Sequence, residues 1–209
     1  MSIEGDARRL KLVIILSSSY GLLSFLFSFI GLASGQAAVH LHEYSLGGIL
    51  TEISGHFLFG AVAAIPLLQI DLLLMAGSMA VLIDSDHILG ALNLNAGSRP
   101  AHSILYAFFS AAFLFYLTNR LRLADRMKLK LTSLAPIALV SHLSYDVFVA
   151  FQNGGSRGGS FPLLTPLNFG LIPLSYLSWI VLEAVSIIAS ISVEVASRRF
   201  SLAGSKAKA

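Results

Sequence analysis

His142 and Asp146 are four residues apart, so a helix presents their imidazole and carboxylate on one side, a turn apart. The same kinds of group recur along the chain. Asp84, Asp86 and His87 stand together, His102 follows, and His56 has Glu52 one turn before it. Mixed imidazole and carboxylate donors suit a divalent ion, zinc first and manganese or iron next, as one ion or a pair. The chain has no cysteine, which excludes thiolate ligands and a disulfide framework, so any metal rests on His, Asp or Glu. Asp84 and His87 are three apart and also converge on a helix. Asp86 points about 100° away from either unless the helix has ended. Glu52 can be a ligand, a general base, or the partner that fixes the tautomer of His56.

These groups must be positioned by an unusually apolar chain. It has 209 residues, of which 56% are hydrophobic and 12% charged, with a mean hydropathy of +0.78. A soluble domain carries roughly a quarter of its residues as charges, and this one falls far short. Apolar runs near the 20 residues needed to cross about 30 Å of hydrocarbon recur at about 12–33, 46–68, 70–83, 102–118, 131–151 and 174–196. The reading is a single integral membrane domain over 1–209, all-α, a polytopic bundle of about six transmembrane helices. The first run is taken as a retained anchor, not a cleaved leader. Residues 161–173 carry three prolines after a Gly- and Ser-rich stretch at 152–160, which predicts a re-entrant or interfacial segment.

Lysine and arginine give the orientation. With six spans, one side holds Arg8, Arg9, Lys11, the five basic residues of the 120–130 loop, Arg198, Arg199, Lys206 and Lys208; the other holds Arg99 and Arg157. Twelve against two places the termini in the cytoplasm of a multi-pass cell-membrane protein. The basic residues lie in short clusters beside apolar runs, at a net charge of only +3. They read as topology determinants and not as a nucleic-acid footprint. The His and Asp candidates then share one depth, toward the exoplasmic side. Each Asp at mid-bilayer would cost about 2.5–3.5 kcal/mol, less near the interface. Carboxylates gathered without a basic neighbour need another cation, which a divalent metal supplies. Taken singly, each of these residues also has a packing or edge-marking role open to it. His40, His42 and Glu43 read as a solvated outer loop, and Glu183 and Glu194 fall outside the cluster.

Four motifs in order carry a resemblance: Gly-His56-x-x-x-Gly60, Asp84-x-Asp86-His87, Arg99-Pro-Ala-His102-Ser103 and Ser141-His142-x-x-x-Asp146. Together with Phe161-Pro162 they resemble the YdjM-type membrane-bound metal-dependent hydrolases, over about residues 55–170. The resemblance implies a multispan fold, hydrolase activity and ligand status for His56, Asp84, Asp86, His87, His102, His142 and Asp146. Ile83 stands where that family often has Pro, and Ala101 where it often has Thr.

Seven ligands exceed the three that one catalytic zinc usually takes. They would suit two ions about 3.5–4 Å apart bridged by an Asp, here Asp86. A site at the outer boundary meets membrane lipid first. The expected activity is hydrolysis of a phosphoester or ester in a lipid-like substrate, with Asp86 and Glu52 in the chemistry and Arg99 and Arg157 holding an anionic head group. A type 2 phosphatidic acid phosphatase would need a Lys before the Arg-Pro, where Leu92 stands, and an Arg shortly before His142. The rivals outside catalysis are a divalent-metal or proton transporter and a structural membrane protein with a metal site. A conduit requires polar residues through both leaflets, and the cytoplasmic halves read as nearly bare.

Overall fold

The structure is a computed structural model that describes residues 3–34, 46–91, 94, 99–152, 160–168 and 170–206. It is all-α apart from one two-residue antiparallel pair. The helices are α1 (Ile3–Ser28), α2 (Leu46–Ala64), α3 (Ile70–Leu82), the short α4 (His87–Ala91), α5 (Ile104–Arg120), α6 (Asp125–Gln152) and α7 (Ser178–Lys206). Five stretches are long and apolar enough to cross a membrane: Arg9–Gly31, Leu46–Leu67, Ile70–Leu89, Asp125–Ala150 and Ser178–Arg199; Ile104–Arg120 is apolar but shorter. The sequence-based spans fall on these helices. His40, His42, Glu43 and Arg157 lie outside the described residues.

Polarity is arranged inside out, as lipid exposure demands. Ser17, Ser24 and Ser28 of α1 are buried while Leu10, Ile14, Leu22 and Leu26 are exposed. In α7, Glu183, Ser186, Ser190, Glu194 and Ser197 are buried while Val181, Val185, Ile188 and Val195 face outward. Small polar side chains facing neighbouring helices, with aliphatic ones facing out, are what close packing in a bilayer selects.

Two glycines let α2 and α3 touch. A Cβ on Gly60 would lie 2.6 Å from the carbonyl oxygen of Ala76, and one on Gly77 would lie 2.7 Å from that of Phe57. This close approach brings His56, one turn before Gly60, alongside the end of α3.

The ends of the bundle are chemically different. Arg9 of α1 pairs with Asp71 of α3 at 3.8 Å, and Arg126, Lys130 and Arg198 surround Glu194. Helix α6 starts at Asp125, six residues before the expected 131, so the basic 120–130 loop shrinks to a turn followed by helix. Lys130, one of the five basic residues of that stretch, is buried, with Nζ donating to the Leu67 carbonyl at 3.0 Å and lying 2.5 Å from Glu194 Oε2. A long stem lets its ammonium turn inward to a paired carboxylate.

The start of the sixth run also shifts, since α7 begins at Ser178 rather than 174. The proline-rich segment is non-helical. It forms a hairpin whose strands β1 (Ser160–Phe161) and β2 (Ile172–Pro173) pair Ser160 with Pro173 and Phe161 with Ile172. Phe161, Pro162 and Thr165 are buried, and the Leu163 carbonyl accepts a bond from the Ile104 amide at 2.9 Å. The segment is thereby tied to the start of α5.

Candidate metal centre

Four parts of the chain deliver donors to one place, at the end of the bundle opposite the Glu194 cluster. His56 comes from α2, and Asp84 from a 3-10 turn, Ile83–Asp86, that ends α3. His102 sits in a second 3-10 turn, Pro100–His102, while His142 and Asp146 are on α6. Each position has a local cause. The turn at 83–86 is anchored by Ser24 Oγ, which donates to the Ile83 carbonyl at 2.9 Å. His102 is fixed from its C-terminal side, because Ser103 caps α5 by accepting from the Tyr106 amide at 3.1 Å.

His142 Nδ1 is 2.8 Å from the Ala80 carbonyl. A carbonyl only accepts, so Nδ1 carries the hydrogen and Nε2 presents its lone pair to the centre. The His56 ring stacks on that of His142, with centroids 4.0 Å apart and planes 11° apart. His56 Nε2 lies 3.1 Å from Asp84 Oδ2 and 3.4 Å from Asp146 Oδ1. His102 Nε2 lies 3.4 Å from Asp84 Oδ1 and 3.7 Å from Asp146 Oδ2. His142 Nε2 lies 3.5 Å from Asp84 Oδ1 and 3.4 Å from Asp146 Oδ2.

Those separations can be compared with what a metal requires. Donors about 2.0–2.1 Å from one tetrahedral ion are about 3.3 Å from each other. The observed spread brackets that value. The Nε2 atoms of His102 and His142 are 2.8 Å apart, a distance at which two imidazole lone pairs need a proton or a cation between them. Three sets of donors lie within 4.8 Å of one another: His56–His142–Asp146, Asp84–His102–His142, and Asp84–Asp86–His87. All seven sequence-based candidates therefore fall in groups that could hold a metal ion. The carboxylate common to two groups is Asp84, whereas Asp86 belongs to one, so the geometry favours Asp84 over Asp86 as a shared ligand. Asp86 Oδ1 and the Nδ1 atoms of His56 and His102 are buried with no hydrogen-bond partner among the described residues.

Glu52 lies at the rim, with Oε2 3.7 Å from His56 Nε2. The approach is to the inward-facing nitrogen, so Glu52 is not placed to fix the tautomer through Nδ1. Beside it a cavity of about 250 Å³ runs between α2 and the α3–α4 corner. Its lining mixes Glu52, His56, Asp84, Ser85 and His87 with Ile49, Ile53, Val81, Leu82 and Ile88.

Contrary to expectation, the carboxylates have a basic neighbour. Arg99 Nε donates to Asp86 Oδ2 at 3.0 Å, Nη2 donates to Asp84 Oδ1, and Nη2 is 3.4 Å from His87 Nε2. Burial works against its charge, but the carboxylates of Asp86, Asp84 and Asp146 outweigh that and raise its affinity for the proton. Arg99 thus faces the candidate ligands. The reason is local: its backbone adopts φ 39° and ψ 59°, the left-handed region, and reverses the chain into Pro100. The sequence showed Arg-Pro beside His102 but not this reversal, because thirteen residues of chain separate Arg99 from Asp86.

A second correction concerns the rest of the bundle. A polar seam (Ser141 and Ser144 on α6; Glu183, Ser186, Ser190, Glu194 and Ser197 on α7) is buried along the helix pair. The half away from the centre is therefore not bare. Its regular spacing on α7 was visible in the sequence, but only packing shows that this face turns inward. Neither Glu183 carboxylate oxygen has a hydrogen-bond partner among the described residues, and Glu183 stands outside all three metal-holding groups. No family model, curated protein or solved structure matches the chain.

Proposed function

We propose that this protein is a membrane-embedded, metal-dependent hydrolase acting on a phosphoester or ester of a lipid-like substrate at the exoplasmic face. The observation that carries the reading is the convergence of three imidazole Nε2 atoms and two carboxylates, of which His56 and Asp84 also line a largely aliphatic cavity. The donor cluster suits a divalent ion, zinc first and manganese or iron next. The aliphatic part suits hydrocarbon, and its rim residues Ile49, Ile53 and Ile88 are exposed on the outside of the bundle. A ligand with a polar head and an apolar tail fits both. The twelve-to-two distribution of basic residues supports cytoplasmic termini, which puts this end outside. The resemblance to YdjM-type hydrolases supports the same reaction class.

A divalent ion supplies Lewis acidity and a water that is deprotonated near neutral pH. The protein's own residues do the rest. His142, fixed by the Ala80 carbonyl, holds its Nε2 lone pair inward, and His56, stacked on it, turns Nε2 toward Asp84 and Asp146. Glu52, at the cavity and beside His56, takes a proton from the attacking water and returns it to the leaving group. Asp84 and Asp146 supply the negative charge that retains the ion. Arg157 stays a candidate for the anionic head group on the sequence reading alone.

The test is incubation of purified protein with native membrane lipids, following head-group or acyl release with and without a chelator. Chelator-sensitive release that disappears in Asp84→Asn is expected. The buried seam on α7 favours a second reading, transport of a divalent metal or protons. Under it, protein that releases nothing would move ions across liposomes in a manner dependent on Asp84 and Glu183.

A further inference from the structure

Arg99 occupies a place that the donor set reserves for a cation. We propose that Arg99 is the built-in second cation of the centre, holding the Asp84–Asp86–His87 donors so that the protein binds one divalent ion and not two. The ion is then held by His56, Asp84, His102, His142 and Asp146. This inference rests on the metal reading above and adds the ion count, which that reading leaves at one or two.

Three independent observations carry it. The first is occupancy of donors. Asp86 Oδ2 accepts from Arg99 Nε at 3.0 Å and Asp84 Oδ1 accepts from Nη2. Guanidinium has no acceptor, so His87 Nε2, 3.4 Å from Nη2, spends its lone pair on that N–H. Each residue of the third metal-holding group thus has a donor atom turned to Arg99. A second ion there would have to expel the guanidinium.

Charge is the second. Asp84, Asp86 and Asp146 bring three negative charges to a site whose carboxylate side chains are 18%, 3% and 15% exposed. Arg99 cancels one, and one divalent ion cancels the other two. A second ion would leave the set at plus two with Arg99 in place, or at plus one with it expelled, in a poorly solvated place where an unbalanced charge is strongly disfavoured. Glu52 is left out of this count because its side chain is 32% exposed at the cavity rim.

The third is the backbone. Arg99 is one of three non-glycine residues with positive φ among the described residues, and it precedes a proline. Both features disfavour that conformation, which persists only where the surroundings hold it. The Arg99 carbonyl accepts the His102 amide at 3.0 Å, so one buried turn delivers the guanidinium to Asp86 and the imidazole to the ion.

The test is titration of the detergent-purified full chain with manganese, read by metal content and by electron paramagnetic resonance. Wild type should saturate at one ion per chain, with the spectrum of an isolated ion. Arg99→Ala should take up a second ion and give the spectrum of an exchange-coupled pair, whereas Arg99→Lys, which keeps the charge, should stay at one. A coupled pair in wild type would overturn the proposal while leaving the metal reading intact, and it requires no variant to fold. Arg99→Ala that still saturates at one uncoupled ion would also overturn it. No bound ion in either protein would remove both readings together.

Discussion

Asp84 has more partners in the centre than any other carboxylate: His56, His102, His142 and Arg99 all reach it. Asp84→Asn and His142→Ala should therefore each lower metal affinity by more than the roughly 10–100-fold produced by losing an outer hydrogen-bond partner. Equilibrium dialysis of purified protein against zinc checks this, with His42→Ala, a histidine outside the four motifs, as the control that should leave affinity unchanged. Glu52 belongs to a different class of residue, since it stands beside the donors at the cavity rim. Glu52→Gln should retain metal yet lower turnover about 10²–10⁴-fold, the usual contribution of a positioned base. Equal loss of metal and turnover in that variant would make Glu52 a ligand. At this scale the candidate ligands were legible because His and Asp are rare in the chain and fall at helical spacing. The role of Arg99 was not, since a chain reversal cannot be read from residue type.

Helix positions depend on small residues more than on the ligands themselves. Gly60→Ala places a Cβ 2.6 Å from the backbone oxygen of Ala76, and a backbone atom cannot rotate aside. Helices α2 and α3 must separate, which moves His56 away from Asp84. The expected result is a destabilisation of about 1–3 kcal/mol, together with a loss of metal affinity although no donor has changed. Thermal unfolding with and without zinc measures both. The glycine and its consequence were readable from the sequence, because one missing side chain per turn suffices for close approach. The ends of the helices were less so. Helix α6 extends back to Asp125, and Lys130 within that extension meets Leu67 just beyond α2 and Glu194 on α7, partners distant in sequence.

Across the whole molecule, the two ends of the bundle differ in chemistry. Arg9, Asp71, Arg126, Lys130, Glu194 and Arg198 meet at one end, and the His–Asp centre lies at the other. If the basic end is cytoplasmic, cysteines placed at Gly97 and Gly155 should react with an impermeant thiol reagent added to intact cells. One placed at Asp125 should not. The opposite pattern would turn the centre toward the cytoplasm and exclude an exoplasmic substrate.

The sequence alone determined that the chain is all-α, with apolar helices long enough to cross a membrane, and which seven residues were available to a metal. Both follow from composition and from periods of three and four residues, which are properties of the chain itself. Only the tertiary structure decided that Asp84 is the shared carboxylate, that Arg99 sits among the ligands, and that the inner face of α7 is a buried polar seam. Each depends on which groups from separate helices meet. That is settled by close packing at glycines and by capped or anchored turns, whose partners lie tens of residues apart along the chain.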